Sequence, residues 1–454
     1  MSARPELDRS APPHPQELRP YEFPDFIRQR LPDGLTALLA PMPGAPLLSI
    51  ELAFPAGGER EEPRLAGLAS LTAGLLDEGT DQRDALAVAG YVERLGGQLS
   101  AAANWDLGAL ELELLPRHRS AALELLAEVA RSPRFDPEEF ERARRNRVTD
   151  LLRRRDRPGQ VANDQLLRAL FGPATYGLPL EGTPETIERL AREDVLSFYE
   201  RHYGLADAVL LMAGDFDPAA VLAELEERFA GPAVAAPPRP QVALPPEAEG
   251  RRVVVVDRPG SAQTELRLGH LAPGRLHPDW SGLTVLNTLF GGKFTSRINL
   301  NLREVHGYTY GASSRFASRL GPGYLTISAA VATPHAGAAV REILAEMDRL
   351  RSEPIAPEEL AETRSYLLGV FPYTLQTTAG VVQHLESLAI FGFPDDYYRR
   401  ARYLARLEAV TLEQLSQLAQ RHFRPEQAIL VAVGPATELV PQLEGLGAVE
   451  VVVG

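Results

Sequence analysis

Residues 231–250 read GPAVAAPPRPQVALPPEAEG and divide the chain of 454 residues into two parts of similar length. The segment contains six prolines, and such a composition keeps a polypeptide extended and gives it little surface to pack. We therefore predict a linker over 231–250 that joins two domains, over 21–230 and 251–454. Residues 1–20 are also rich in proline and are predicted to form an extended N-terminal arm, either disordered or lying on a partner subunit.

The two parts resemble each other in sequence. Four segments of the first part match segments that lie 220 residues later: Pro137-Glu138-Glu139 with Pro357-Glu358-Glu359, Phe171-Gly172 with Phe391-Gly392, Arg201-His202-Tyr203 with Arg421-His422-Phe423, and Ala208-Val209-Leu210-Leu211 with Ala428-Ile429-Leu430-Val431. Because these matches need no gap, they indicate a duplicated domain and not a short-period repeat.

The pattern within each part predicts mixed strands and helices. Apolar, β-branched runs over 34–54 and 252–270 are typical of strands. Residues 64–77 place five leucines on one helical face, and Asp136 followed by Pro137 predicts the start of a helix to about Arg155. The other predicted elements are a half-buried strand toward the end of 99–115, a helix near 193–203, a strand near 208–213 and a helix near 217–229. We therefore predict an α+β fold of two homologous domains, each a mostly antiparallel sheet with helices packed on one face.

Composition excludes several classes of protein. The chain has no cysteine, which rules out disulfides, thiolate metal sites and a cysteine nucleophile. Its formal net charge of −14 is not that of a nucleic-acid-binding protein. No run of 18 apolar residues and no secretory signal are seen, so we expect a cytoplasmic protein without membrane contact, and the periplasm is the alternative location.

Histidines are scattered along the sequence. Nine are present, and no two lie within four residues of each other. A zinc site on one helix needs two histidines four residues apart on the same face, so a site of this kind is absent. A zinc site assembled from distant histidines stays open, although a single histidine is most often a surface or capping residue. FGGKFTSR at 290–297 lacks phosphate-loop spacing and is predicted to be a turn that opens a helix.

Two stretches resemble a known family. Residues 281–316, SGLTVLNTLFGGKFTSRINLNLREVHGYTYGASSRF, resemble the second-domain signature of the pitrilysin/insulinase-type zinc metallopeptidases, the inverted zincins. The shared features are a Gly-Gly turn, a Ser-Arg pair, an Arg-Glu pair, then Gly and Tyr. Residues 67–80, GLASLTAGLLDEGT, are similar to the metal-binding helix of that family. The resemblance covers about 30–450 and implies a clamshell of two homologous domains.

The resemblance does not extend to the residues that bind zinc in active members of the family. They carry HxxEH and a distant glutamate as third ligand, whereas this chain has Ser70-Leu71-Thr72-Ala73-Gly74 at the first position and Asp150 as the acid nearest to the second. Ser70, Ala73 and Gly74 supply neither imidazole nor a general base. The small residues on this helix face either allow close packing or mark a vestigial site. We therefore predict no cofactor in this chain and no activity alone, with zinc expected in a partner subunit.

The second-domain signature retains Arg303 and Tyr310, seven residues apart. The resemblance implies that this pair reaches the substrate at the metal of zinc-bearing relatives. A tyrosine hydroxyl donates well to the negatively charged carbonyl oxygen of an amide under attack, and an arginine positions the substrate. The ordinary alternatives are a surface ion pair of Arg303 with Glu304 and a core position for Tyr310. We predict catalytic roles for both residues, and the other substrate-binding residues are unknown.

These observations favour one function and leave alternatives open. The favoured interpretation is the non-zinc subunit of a heterodimeric zinc metallopeptidase that degrades or processes peptides, with a zinc-bearing paralogue as partner and an unfolded peptide as substrate. The alternatives are a non-catalytic scaffold and a peptide-binding homodimer of the same fold. The first interpretation predicts that a neighbouring gene encodes a similar chain with HxxEH.

Overall fold

A computed structural model describes residues 21–231, 234–242, 244–245 and 250–453. The predicted N-terminal arm over 1–20 and part of the predicted linker lie outside these residues. The described elements form two six-stranded sheets, one in each half of the chain. Among the described helices, none has both the length and the apolar character needed to cross a membrane.

The first sheet has the strand order β1-β2-β6-β3-β5-β4. Its neighbours run antiparallel except for β2 and β6, which are parallel. The strands are β1 (Ile27–Arg30), β2 (Thr36–Pro41), β3 (Leu48–Phe54), β4 (Gln98–Ala103), β5 (Gly108–Leu114) and β6 (Val209–Gly214). The helices of this half are α1 (Leu68–Ala73), α2 (Ala85–Arg94), α3 (Arg119–Arg131), α4 (Pro137–Arg154), α5 (Pro158–Phe171), α6 (Pro184–Arg189), α7 (Arg192–His202) and α8 (Pro218–Arg228).

The second sheet has the strand order β12-β7-β11-β8-β10-β9, with β7 parallel to both of its neighbours and the other pairs antiparallel. Its strands are β7 (Arg252–Asp257), β8 (Gln263–Ala272), β9 (Thr309–Phe316), β10 (Gly323–Ala332), β11 (Ile429–Gly434) and β12 (Ala448–Val453). The helices are α9 (Trp280–Asn287), α10 (Arg297–Asn299), α11 (Ala336–Ser352), α12 (Pro357–Val370), α13 (Thr378–Ile390), α14 (Arg400–Glu408), α15 (Leu412–His422) and α16 (Ala436–Leu443).

This architecture confirms the predicted α+β class and the internal duplication. Helices α7 and α15 begin and end 220 residues apart, as do strands β6 and β11. Helix α4 begins after Asp136, whose carboxylate accepts a hydrogen bond from the backbone N–H of Glu138 at 2.9 Å, as expected of a helix cap. The limits of the two domains stay a prediction, because helices α5 and α13 each pack against the sheet of the opposite half.

Each sheet packs helices of its own half on one face and one helix of the opposite half on the other. In the first half, α1, α3, α7 and α8 contribute to the apolar cluster that covers one face of the sheet. The other face packs against α13, whose Leu385 and Leu388 belong to the same buried cluster as Leu38 and Leu211. The prediction of helices on one face therefore holds for each half considered alone. The second face of each sheet is covered by a helix of the opposite half.

Helix α5 makes the reciprocal contact with the second sheet. Its buried residues Leu166 and Leu170 share a cluster with valines of β7 and β11. Arg267 of β8 donates from Nε to Asn163 Oδ1 at 2.7 Å and from Nη2 to the carbonyl oxygen of Gly159 at 3.2 Å. Helices α5 and α13 begin 220 residues apart, and each packs against the sheet of the opposite half. The two exchanged helices are therefore equivalent elements of the duplicated unit.

Aromatic and polar contacts reinforce this arrangement. The guanidinium carbon of Arg319 lies 4.8 Å from the ring centroid of Trp105, 4.6 Å from that of Tyr176 and 5.3 Å from that of Tyr324. Trp105 and Tyr176 belong to the first half, so this buried cation joins the two halves through cation–π contacts. Next to it, the carboxylate of Asp106 accepts the backbone N–H of Leu320 at 3.1 Å.

The described part of the linker packs more firmly than its composition predicts. Arg239 Nη1 lies 2.5 Å from Glu59 Oε1 and 3.1 Å from Asp106 Oδ1. The carbonyl oxygen of Pro237 accepts a hydrogen bond from Arg60 Nη1 at 2.7 Å. One arginine therefore anchors this stretch to buried carboxylates of the first half, although none of its described residues is itself buried.

We predict that shortening one buried leucine side chain on either α5 or α13 destabilises the chain. Leu385→Ala and Leu166→Ala each remove a buried side chain from a contact between the halves, and such changes typically cost about 2–5 kcal/mol. The midpoint of denaturant unfolding, followed by circular dichroism, should fall for both variants. Leu86→Ala, at an exposed position of α2, should leave it almost unchanged; equal midpoints in all three variants would contradict the exchange.

A second prediction concerns two carboxyl groups buried between β3 and α13. Burial and the nearby carboxylates of Glu386 and Glu111 hold the pKa of Glu51 well above its usual range, and burial raises the pKa of Glu386 to about 7. The folded chain therefore binds these protons more tightly than the unfolded chain. Their contribution to the free energy of unfolding is greatest below about pH 4.5 and falls as the pH rises through about 7.

Glu51→Gln replaces the acid by a neutral isostere and tests this directly. We expect the variant to lose less stability than wild type between pH 5 and pH 8, by about 1 kcal/mol or more. Denaturant titrations at the two pH values measure this difference. Glu93→Gln, on the exposed side of α2, is the control. A pH dependence equal to that of wild type in Glu51→Gln would contradict a raised pKa for Glu51.

Candidate functional site

The stretch 281–316 folds as a helix, a turn, a second helical segment and a strand. Helix α9 continues into a π-helical turn over Thr288–Gly292, and α10 continues into a π-helical segment over Leu300–Val305. The turn between them, over 293–296, agrees with the prediction for FGGKFTSR. The stretch ends in β9, which is an edge strand of the second sheet.

The Gly-Gly turn packs directly against β9. A Cβ atom at Gly291 would lie 2.3 Å from Ser314 Oγ, so only glycine allows this approach. Asn287 strengthens the contact, because its Nδ2 donates to the Ser314 carbonyl oxygen at 3.1 Å and its Oδ1 accepts from Ser314 Oγ at 2.8 Å. The helix end and the strand are thereby held as one unit.

Asn299 links the segment that bears Arg303 to the strand that bears Tyr310. Its side chain is buried, with Nδ2 donating to the Phe294 carbonyl oxygen at 2.6 Å and Oδ1 accepting from the backbone N–H of Ala312 at 2.9 Å. Nearby, Arg297 makes two hydrogen bonds, of 2.7 and 2.6 Å, to the carboxylate of Glu359. The arginine of the Ser-Arg pair therefore has a structural role here.

Tyr310 lies at an irregular point of β9. Pairing with β10 runs from Ala312 opposite Ala329 to Thr309 opposite Val331, which leaves one extra residue on β9. Such a β-bulge redirects side chains. The Tyr310 side chain is 92% exposed, and no described residue forms a hydrogen bond with its hydroxyl group. The alternative of a core position for Tyr310 is therefore wrong.

Arg303 lies half-exposed on the preceding segment. Its guanidinium carbon is 4.4 Å from the centroid of the Phe294 ring, and its Nε is 3.6 Å from Glu304 Oε1. The ordinary ion pair with Glu304 is therefore present, but both partners remain accessible, with side chains 34% and 57% exposed. Phe294, Leu300, Val305 and Tyr310 are exposed on the same stretch, and we call these four the apolar patch.

In the first half, helix α1 is shorter than the predicted helical stretch over 64–77. It begins after Gly67, which has a φ of 95°, and ends at Ala73. The buried carboxylate of Glu61 accepts the backbone N–H groups of Gly67 at 3.0 Å and of Ala69 at 2.9 Å. Burial raises the pKa of Glu61 to about 8, although these amides oppose the shift. The leucines of the predicted face are buried or partly buried as expected.

The residues where the resemblance puts zinc ligands do not form a zinc site. Ser70 Oγ accepts a hydrogen bond from Arg147 Nη1 at 2.9 Å, Ala73 is buried and Gly74 ends α1. Asp150 is exposed and faces Arg153, with their charged atoms 3.7 Å apart. Zinc needs nitrogen, sulfur or carboxylate donors that converge, and here a guanidinium group lies beside the hydroxyl instead. The donor set therefore does not fit zinc.

The structure separates the two groups of predicted residues. Arg303 and Tyr310 lie in the second half, and Ser70, Ala73 and Asp150 lie in the first. Within the described ranges, no hydrogen bond, ion pair or ring contact joins one group to the other.

Sequence reasoning missed three residues with clear roles. Arg147 fills the space beside α1, Asn299 holds the segment of Arg303 against β9, and Phe294 contacts Arg303. Asn299 offers a signal in hindsight, because a polar residue between apolar neighbours on a short helix needs buried partners. Nothing in the sequence pairs Arg147 with Ser70, since the two are 77 residues apart.

Comparison with protein families gives two adjacent matches. Residues 37–184 match the model described as insulinase, peptidase family M16. Residues 189–367 match the model described as peptidase M16 inactive domain. Together the two models cover most of the chain, and both belong to one family.

Individual proteins agree with this result. An uncharacterized zinc protease of Mycobacterium leprae is 26% identical over 401 residues, which cover 87% of this chain and 88% of that protein. The crystal structure of a peptidase M16 inactive domain from Pseudomonas fluorescens has a TM-score of 0.83 and 23% identity, and covers 90% of this chain and 98% of that one. A protease from Helicobacter pylori has a TM-score of 0.84 and 20% identity, covering 91% and 100%. At these identities, the two structures indicate a shared fold.

Proposed function

Because this chain belongs to the insulinase family of peptidases, peptidase family M16, we propose that it is the subunit without the catalytic zinc site in a two-chain zinc peptidase. Its partner is a paralogous chain that carries the zinc motif, and its substrate is an unfolded peptide. The observation that carries the proposal is the exposure of Tyr310, at 92%, on the same stretch as an accessible Arg303.

Tyr310 is suited to donate a hydrogen bond outside its own chain. An exposed ring on a bulge of an edge strand contributes little to folding, which leaves its hydroxyl group available to a partner or a peptide. In peptide hydrolysis, negative charge develops on the carbonyl oxygen, and a phenol hydroxyl is a good donor to that oxygen. Asn299 ties the backbone of β9 to the helical segment, which keeps the strand that bears Tyr310 in a defined place.

Arg303 has the role of positioning the peptide. A guanidinium group presents several N–H donors in one plane, and these suit the carbonyl oxygens of an extended chain. The ring of Phe294, 4.4 Å from the guanidinium carbon, supports its orientation. The contact with Glu304 at 3.6 Å is between exposed groups and is easily replaced. The apolar patch supplies surface against which a peptide or the partner subunit packs.

The region of α1 in the first half explains why the proposed activity needs a zinc-bearing partner. The residues around Ser70 and Arg147 do not suit zinc, so the metal that activates the attacking water belongs to the other subunit. The chain would then contribute binding and charge stabilisation from outside the metal centre. A second candidate, a non-catalytic scaffold or a peptide-binding homodimer, is favoured by the same apolar patch, which serves docking equally well.

We predict that Tyr310→Phe lowers kcat of the mixed complex. The loss of one oxyanion donor typically costs about 10²–10³ in rate. The unfolding midpoint and complex formation should stay as in wild type, because the substitution keeps the exposed ring and removes only the hydroxyl group. The measurement mixes this chain with its zinc-bearing paralogue and follows hydrolysis of a fluorogenic peptide. Arg303→Ala should mainly raise KM.

Tyr373→Phe is the matched control, since Tyr373 is also exposed in the second half but lies outside the stretch 281–316. Its hydrolysis rate should equal that of wild type. Full activity of the partner alone would reject a catalytic role for this chain. A complex that needs this chain but is indifferent to Tyr310→Phe and Arg303→Ala would instead identify the chain as a scaffold.

A further inference from the structure

Two side chains just before α9, those of His277 and Asp279, meet that of His422, which lies 143 residues beyond Asp279 in the chain. His422 Nε2 lies 2.7 Å from Asp279 Oδ2, and His277 Nδ1 lies 3.8 Å from the same oxygen. One potential ligand atom from each residue lies within 4.8 Å of the other two. Within the described residues, this is the one group of three or more histidines and acids with such spacing. It is separate from the residues around Ser70 and from the apolar patch.

The orientation of Asp279 is not explained by helix capping. Asp279 occupies the N-cap position of α9, yet its side chain accepts no hydrogen bond from the helix amides. Its carboxylate is turned to the end of α15, where it meets His422 and Arg421. The carboxylate therefore serves the cluster and not the helix.

The two histidines differ in exposure. The His422 side chain is 6% exposed, with its Nε2 facing the carboxylate of Asp279. His277, with its side chain 40% exposed, stands at the solvent side of the cluster and leaves a path for entry.

We propose that His277, Asp279 and His422 bind a divalent transition metal of the zinc class, with a fourth position open to water. Two histidines and one carboxylate are a frequent ligand set for zinc. With metal–ligand bonds near 2.0–2.1 Å, neighbouring ligand atoms of a tetrahedral site are about 3.3 Å apart. The separations of 2.7 and 3.8 Å bracket that value, so small side-chain rotations complete the site.

Arg421 is the group that the metal must displace. Its Nη1 lies 2.9 Å from Asp279 Oδ2 and balances the carboxylate charge in the metal-free chain. The Arg421 side chain is 60% exposed, so it can turn into solvent at little cost. Binding also replaces a long hydrogen bond, 3.2 Å, from the backbone N–H of Asp279 to His277 Nδ1. Both are weak contacts.

Occupancy would cross-link the start of α9 to the end of α15. These helices already touch, since a Cβ atom at Gly282 would lie 2.3 Å from Leu418 Cδ1. Helix α9 leads directly into the stretch that carries the apolar patch and Arg303. The ion would therefore stabilise the second half, because a ligand that binds the folded chain alone raises its unfolding temperature.

The test titrates the metal-free full-length chain with Zn²⁺ by calorimetry and with Co²⁺ by visible absorption, which reports ligand geometry. We expect one site per chain and a higher thermal midpoint with Zn²⁺. His277→Ala, at a partly exposed position, should weaken binding by more than about 10–100-fold, which is the loss seen when groups that merely support a metal ligand are removed. Arg421→Ala should tighten binding, because it removes the competing cation.

His306→Ala is the matched control, since His306 also lies near a carboxylate, with its Nε2 3.7 Å from Glu342 Oε2, but without a third ligand. Its metal affinity should equal that of wild type. The proposal is overturned if wild type shows no stoichiometric binding, or if His277→Ala binds as tightly as wild type. None of these measurements depends on peptidase activity, so they are independent of the proposed function.

Discussion

The exchange of α5 and α13 sets the relation between the two halves of this chain. Each helix buries apolar side chains against the sheet of the opposite half, so neither sheet has both faces covered without the other half. Arg319, enclosed by rings from both halves, and Arg239, held by carboxylates of the first half, add contacts around this exchange. The stretch 281–316 and the region of α1 therefore keep a defined separation. Any partner or peptide meets two surfaces that are already positioned relative to each other.

Within the stretch 281–316, some residues stabilise the local structure and others remain exposed at the surface. Gly291, Asn299 and Arg297 are used inside the chain: one permits close packing, one bridges helix and strand, and one binds Glu359. Arg303 and Tyr310 are left accessible at the surface so produced. The region of α1 has the opposite character, because the guanidinium of Arg147 and the hydroxyl of Ser70 satisfy each other there. A positive charge of the chain itself lies beside α1, which disfavours a bound cation.

Local patterns predicted much of this fold. The cap at Asp136 set the start of α4, and the gap-free repeat predicted equivalent elements such as α7 and α15. The sequence could not predict which sheet α5 and α13 pack against. An amphipathic helix has an apolar face that must be buried, but its pattern does not identify the sheet that buries it. The same limit applies to His277, Asp279 and His422: histidine spacing along the chain excludes a site on one helix, yet 143 residues separate Asp279 from His422. The exposure of Tyr310 depends on a bulge, which the sequence does not reveal.

The reciprocal transfer of helices also bears on how such a chain could have arisen. A single ancestral copy, folded alone, would have exposed an apolar sheet surface to water and would have been prone to aggregate. Two copies that swapped this helix would have formed a closed homodimer with twofold symmetry, which is a low-cost route to association. Fusion of the two genes then needed only a tether that reaches from the last helix of one copy to the first strand of the next. The proline-rich stretch over 231–250 fits that description.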